Sequence, residues 1–101
     1  MIVIRNVFQL KFGKTKEAVS LLKEGIAIQK RVLTGVDHSV RLLTDATGPF
    51  YTLVLEVTVP SLSAWETNAP RVFGDKDFQA NYAKVTPLVE SGYREVFNVV
   101  D

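Results

Sequence analysis

Asn6 is the one polar residue on a strand face otherwise made by Ile2, Ile4, Phe8 and Leu10. An amide buried on such a face needs hydrogen-bond partners, from the protein or from a ligand. Trp65 is the single tryptophan, and Tyr51, Tyr82 and Tyr93 are the three tyrosines. Each pairs a flat apolar surface with a polar tip, which suits the wall of a pocket for a planar molecule. The same side chains serve equally well as core or subunit-contact aromatics. Asn6, Phe8, Tyr51, Trp65 and Tyr82 form the expected ligand-binding set.

The remaining chemistry-bearing residues point to no reaction. His38, the only histidine, follows Asp37. Adjacent residues rarely reach the geometry of a base and its orienting carboxylate, so an exposed loop histidine is expected. One histidine without clustered carboxylates makes no zinc site, and no metal or cofactor is expected. No Ser-His-Asp constellation, phosphate-binding glycine loop or catalytic carboxylate pair is present. Asp75-Lys76-Asp77 reads as the start of a helix.

Bulk composition narrows the class. The chain has 101 residues, which fits one domain spanning 1–101. Hydrophobic residues make up 47% and charged residues 23%, which argues for a folded core over disorder. A net charge of +1 gives no electrostatic footprint for nucleic acid or an acidic membrane. With no cysteine, disulfides and thiolate chemistry are excluded. No apolar run is long enough for a membrane span, and the opening Met-Ile-Val-Ile-Arg has strand character and no signal-peptide shape. A cytoplasmic protein is the resulting expectation.

The elements that must position the pocket follow from periodicity. Ile2–Lys11 alternates as a strand, and Gly13 breaks it. Thr15–Leu33 reads as a helix with Ala18, Leu21, Leu22, Gly25 and Ile26 on one stripe. Gly25 costs a helix about 1 kcal/mol relative to Ala, so close packing against the sheet is expected there, with room for a ligand as the alternative. Val40–Asp45 and Phe50–Val59 read as strands joined through Ala46-Thr47-Gly48-Pro49. The second of these should place Tyr51, Leu53, Leu55, Val57 and Val59 on one face. A short helix is expected after Pro60, capped by Ser63 with Glu66 or by Ser61, and ending near Asn68 because Pro70 disfavours helix at Ala69. Asp75 should cap another helix with Phe78, Tyr82 and Val85 inward, ended by Pro87. Gly92 should precede a last strand, Tyr93–Val100.

The order βαββαβ is the ferredoxin-like pattern, an α+β fold with a four-stranded antiparallel sheet in the order 4-1-3-2 and helices on one face. The other face would carry Val3, Arg5, Val7, Val54 and Glu56. Covering this mixed face with a second copy would make a closed barrel, with Arg5, Val7, Val54 and Glu56 at the subunit contact. A homodimer is therefore expected.

Two stretches carry a family resemblance. One is Val-Ile-Arg-Asn-Val-Phe-Gln-Leu-Lys-Phe-Gly-Lys at the start; the other runs from Asp77-Phe78-Gln79 through Gly92-Tyr93-Arg94-Glu95-Val96-Phe97. With them the chain resembles the dimeric α+β barrel superfamily, in its NIPSNAP-like branch. The resemblance implies a homodimer and a small-molecule pocket between sheet and helices. Relatives in that superfamily include cofactor-independent monooxygenases, haem-degrading enzymes and polyketide cyclases. Haem-degrading relatives have an Asn on the first strand, seven residues ahead of a helix-entry Gly, as Asn6 and Gly13 stand here. They also have a Trp matched by Trp65, and then an iron-ligating His about ten residues later. Position 75 is Asp, and no His follows Trp65, so that activity is not expected. The expected function is binding of a small apolar or aromatic molecule. A cofactor-independent monooxygenase or polyketide-type cyclase is the alternative, and a non-catalytic interaction domain a further one.

Overall fold

A computed structural model describes residues 1–101. The elements are β1 (Ile2–Leu10), α1 (Thr15–Val32), β2 (Ser39–Thr44), β3 (Thr52–Val59), α2 (Leu62–Phe73), α3 (Lys76–Val85), a short 3-10 turn (Thr86–Leu88) and β4 (Val89–Asn98). The sheet is antiparallel with order β2-β3-β1-β4, the expected ferredoxin-like arrangement. Its Cα extents are 36 × 34 × 17 Å. The smallest dimension fits one sheet and one helix layer about 10 Å apart, so the second sheet face is left open.

Register assigns the faces. Ile4 pairs with Val57, Asn6 with Leu55 and Phe8 with Leu53, and these residues face the helices. The helix-side core is split in two. Ile2, Ile4, Val57 and Val59 form one buried cluster, and Leu10, Ala18, Leu53 and Leu88 the other.

At four local points the structure corrects an expectation or decides between two. First, α2 does not stop at Asn68 but continues through Pro70 to Phe73. Pro70 is exposed, whereas Ala69 and Val72 are buried. Burial of those side chains, with Arg71 Nη2 donating to Val32 O at 3.0 Å, outweighs the proline's local penalty. Second, the N-cap of α2 is Ser61, whose Oγ accepts from the Ala64 N–H at 3.1 Å.

Third, β4 begins at Val89, and Gly92 lies inside it. Gly92 pairs with Phe8, and a Cβ there would stand 3.2 Å from the Phe8 ring and 3.1 Å from Val7 O. The glycine is a seat for the neighbouring aromatic ring, not a strand break. Fourth, Tyr51 precedes β3 and adopts φ 60°, a left-handed conformation, while its side chain still packs against the helix-side cluster of Leu53.

The open face also differs in detail. Arg41, Glu56, Arg5 and Glu95 stand side by side in register on β2, β3, β1 and β4, alternating in charge across the whole sheet. Arg5 Nε reaches Glu56 Oε2 at 3.0 Å and its Nη1 reaches Glu95 Oε1 at 3.0 Å, while Arg41 Nη2 reaches Glu56 Oε1 at 2.7 Å. Val7 and Val54, paired on this face, are buried within the protomer rather than bare. The exposed apolar side chains here are instead Tyr93 and Phe97, the β4 partners of Val7 and Val3.

Candidate functional site

A chamber of about 130 Å³ lies between the sheet and the three helices. It occupies the gap between the two core clusters. Phe8 and Leu22 reach it from one cluster, and Leu55, Val57 and Trp65 from the other. The sheet supplies Asn6 and Phe8 through the strict alternation of β1. Helix α2 supplies Trp65, and α3 supplies Phe78, Tyr82 and Val85 at helical spacing.

Four aromatic rings run along one wall. Trp65 meets Phe73 edge-on with centroids 6.3 Å apart, Phe73 lies 5.9 Å from Phe78, and Phe78 stacks on Tyr82 at 6.4 Å. Beyond them lies an outer vestibule of about 360 Å³, which shares Phe73, Phe78, Tyr82 and Arg94 with the chamber. Those four residues form the threshold between inside and outside.

The polar groups of the chamber are few. Arg94 Nε donates to Asn6 Oδ1 at 2.8 Å, and the guanidinium carbon lies 6.0 Å from the Trp65 ring centre. The two residues are cross-strand partners on β1 and β4, so the sheet register itself brings them together. Asn81 Nδ2 donates to Leu21 O at 2.9 Å, which ties α3 to α1. A Cβ on Gly25 would lie 2.7 Å from Asn81 Oδ1. The glycine therefore accommodates a side chain of α3, not the sheet. Gln29 is 7% exposed, and its Nε2 has no hydrogen-bond partner in the protein.

Of the five residues expected to bind ligand, Asn6, Phe8, Trp65 and Tyr82 come together in the chamber, and Tyr51 does not. The left-handed turn sends Tyr51 to the far end of the second core cluster, where its ring meets Phe12 edge-on at 4.7 Å. Sequence reasoning missed Gln29 and Arg94. Gln29 extends the α1 stripe of Ala18, Leu22 and Gly25, so a polar residue on an apolar stripe was the available signal. Arg94 needed the β1–β4 register, which sequence alone does not supply.

Asp75 and His38 lie outside the chamber lining. Asp75 caps α3 by accepting from the Phe78 N–H at 3.0 Å, and Arg31 Nη2 lies 3.3 Å from its carboxylate. The Phe78 N–H, with Arg31 beside it, holds the Asp75 carboxyl below its usual range. His38 is half-buried rather than exposed, with Nδ1 2.9 Å from Val36 O. No three His, Cys, Asp or Glu side chains gather as a metal-ligand cluster. No helix is long and apolar enough to cross a membrane.

The fold is shared with solved NIPSNAP-domain proteins and with an antibiotic biosynthesis monooxygenase. A NIPSNAP domain protein from Burkholderia xenovorans superposes with a TM-score of 0.86 at 18% identity, covering 99% of this chain and 95% of that one. A NIPSNAP family protein from Agrobacterium tumefaciens gives 0.82 at 24% identity, covering 99% and 86%. A cofactor-independent oxygenase from Streptomyces nogalater gives 0.69 at 18% identity, covering 99% and 93%. No protein-family model matches the sequence, and no curated protein matches it.

Proposed function

We propose that this protein binds a small planar apolar or aromatic molecule in the chamber, as a homodimer closed over the open sheet face. The observation that carries the reading is a recessed, partly open apolar space, walled by four aromatic rings, with a few polar residues in its lining. Size narrows the occupant. A cavity of about 150 Å³ holds one benzene ring. A chamber of about 130 Å³ therefore fits one ring. A fused polycycle would have to extend past Phe73 and Phe78 into the vestibule.

The dimer is supported by the open sheet face. Tyr93 and Phe97 are 62% and 48% exposed there, beside the alternating charges of Arg41, Glu56, Arg5 and Glu95. A second copy would cover these rings and add its own complementary charges. Light scattering at micromolar concentration should give twice the chain mass; a monomer refutes this part.

A second reading is favoured by the oxygenase-type neighbours. Asn6, Trp65 and Tyr82 surround a space that a hydroquinone-sized substrate fills. The chamber lining holds no carboxylate, thiol or imidazole, so a substrate reacting directly with oxygen would supply its own electrons.

Mass spectrometry of the purified protein under native and then denaturing conditions tests binding. A released one-ring aromatic, or saturable binding of 4-methylphenol, supports it. Absence of both refutes it. Oxygen consumption with hydroquinones separates the readings: turnover lost on Trp65→Phe and Asn6→Ala marks an oxygenase, and binding without turnover marks a binding protein.

A further inference from the structure

Gln29 and Arg94 carry information about the ligand that the aromatic walls do not. Gln29 sits on α1 with its side chain among apolar neighbours. It is more than nine-tenths buried, and its Nε2 finds no acceptor in the protein. A buried donor left unpaired costs about 1–3 kcal/mol, so a leucine at this position would serve the core better. Asn6, Asn81 and Tyr82 also line the chamber, and none of their oxygens accepts from Gln29 Nε2. Nε2 is itself closed off in this conformation, and a turn of the Gln29 amide towards the chamber would let an occupant supply the acceptor.

Arg94 lies at the threshold and is exposed. It is the only charged side chain among the residues lining the chamber, and it enters no ion pair. Its Nε is spent on Asn6 Oδ1, which turns the guanidinium across the mouth beside the Trp65 ring. Its terminal nitrogens hydrogen-bond to no protein group. The site thus presents a neutral donor inside, a positive charge at the entrance, and an apolar slot about one ring long between them. The complementary molecule has an acceptor oxygen at one end, an anionic group at the other and one flat ring between.

We propose that the chamber selects a single-ring aromatic carboxylate carrying a second, uncharged acceptor oxygen. The carboxylate meets Arg94 at the mouth, and the inner oxygen accepts from Gln29 Nε2. This inference rests on the binding function proposed above and adds the chemical class of ligand. Gln29 is a specificity determinant: an analogue lacking the inner oxygen leaves its donor unpaired, and one lacking the carboxylate forfeits the guanidinium.

Three probes of nearly equal shape test this: 4-hydroxybenzoate, 4-methylbenzoate and 4-methylphenol, each titrated into the full chain with Trp65 fluorescence as the readout. The wild-type protein should bind 4-hydroxybenzoate about tenfold more tightly than either analogue. Gln29→Leu should remove the preference over 4-methylbenzoate while raising the melting temperature of the ligand-free protein. Gln29→Met provides the same comparison if the leucine variant folds poorly. Arg94→Met should remove the preference over 4-methylphenol and the salt dependence of binding. Equal affinity of the wild-type protein for all three probes would overturn the inference and leave the binding function standing. If none of the three binds, the chamber-binding function falls as well. A Gln29→Leu protein that keeps the full preference for the hydroxyl would also overturn it.

Discussion

Arg94 Nε donates to Asn6 Oδ1 across 2.8 Å, between residues 88 positions apart that the sheet pairs directly. This bond satisfies the acceptor end of the only polar side chain on the inner face of β1. It also holds the guanidinium 6.0 Å from Trp65, at the mouth of the chamber. One hydrogen bond therefore joins a fold requirement, the pairing of a half-buried amide, to a functional one, the placing of a cation beside an aromatic wall.

Removing the amide should separate these roles. Asn6→Ala is expected to lower stability by about 1 kcal/mol, the net value of one such hydrogen bond, as measured by urea denaturation. It should also free Arg94 to swing into solvent. Trp65 emission should then shift as the cation leaves the ring, and the same shift should appear in Arg94→Met.

Gly25 and Asn81 make a coupled pair. Gly→Ala inside a helix ordinarily stabilises by about 1 kcal/mol. Here the new Cβ would meet Asn81 Oδ1 at 2.7 Å and force that side chain off Leu21 O. Displacing a buried hydrogen-bonded amide costs more than the propensity gain, so Gly25→Ala should lower stability by about 1 kcal/mol. In an Asn81→Ala background the same substitution should become stabilising. A double-mutant cycle by thermal melting reads the reversal of sign.

Acid should weaken the sheet through Glu56. The hydrogen bond from Arg41, with Arg5 on its other oxygen, holds this carboxyl below its ordinary value of 4.5 despite the opposing effect of partial burial. A depressed folded-state value means the contribution is present in full above about pH 4.5 and is lost as pH falls through the lower folded value. Glu56→Gln should cost about 1 kcal/mol at neutral pH. It should also flatten the acid limb of the stability–pH profile below 4.5, measured by denaturant midpoints.

Gly92 sets how far the Phe8 ring stands from the chamber. Gly92→Ala would place a methyl 3.2 Å from that ring and push it towards the cavity it lines. The expected result is weaker binding of a one-ring ligand, by several-fold, with only a small loss of stability. Titration and thermal melting on the same sample measure both.

The strand and helix periods made much of this architecture readable. The alternation of Ile2, Ile4, Phe8 and Leu10 marked Asn6 as a polar intruder facing the helices, and that is where it stands. Helical spacing put Phe78, Tyr82 and Val85 together on α3. What escaped was whatever depended on tertiary partners. Tyr51 packs on the face shared with Leu53 but outside the chamber lining, and nothing in Gly48-Pro49-Phe50-Tyr51 announces which residue takes the positive φ. Pro70 and Gly92 read as breakers, yet burial of Ala69 and Val72 carries the helix past the first, and the Phe8 ring explains the second. Arg94 became visible only through the pairing of β1 with β4. Gln29 was within reach of the reasoning that found Asn6, applied to a helix stripe in place of a strand face.

The most direct measurement titrates 4-methylphenol into the wild-type protein and into Ile26→Phe, a variant whose added ring fills the chamber, while following the emission of Trp65. A saturable change in the wild-type protein that is absent from the filled variant is the predicted result. No change in the wild-type protein, or the same saturable change in both, would contradict a ligand site between the sheet and the helices.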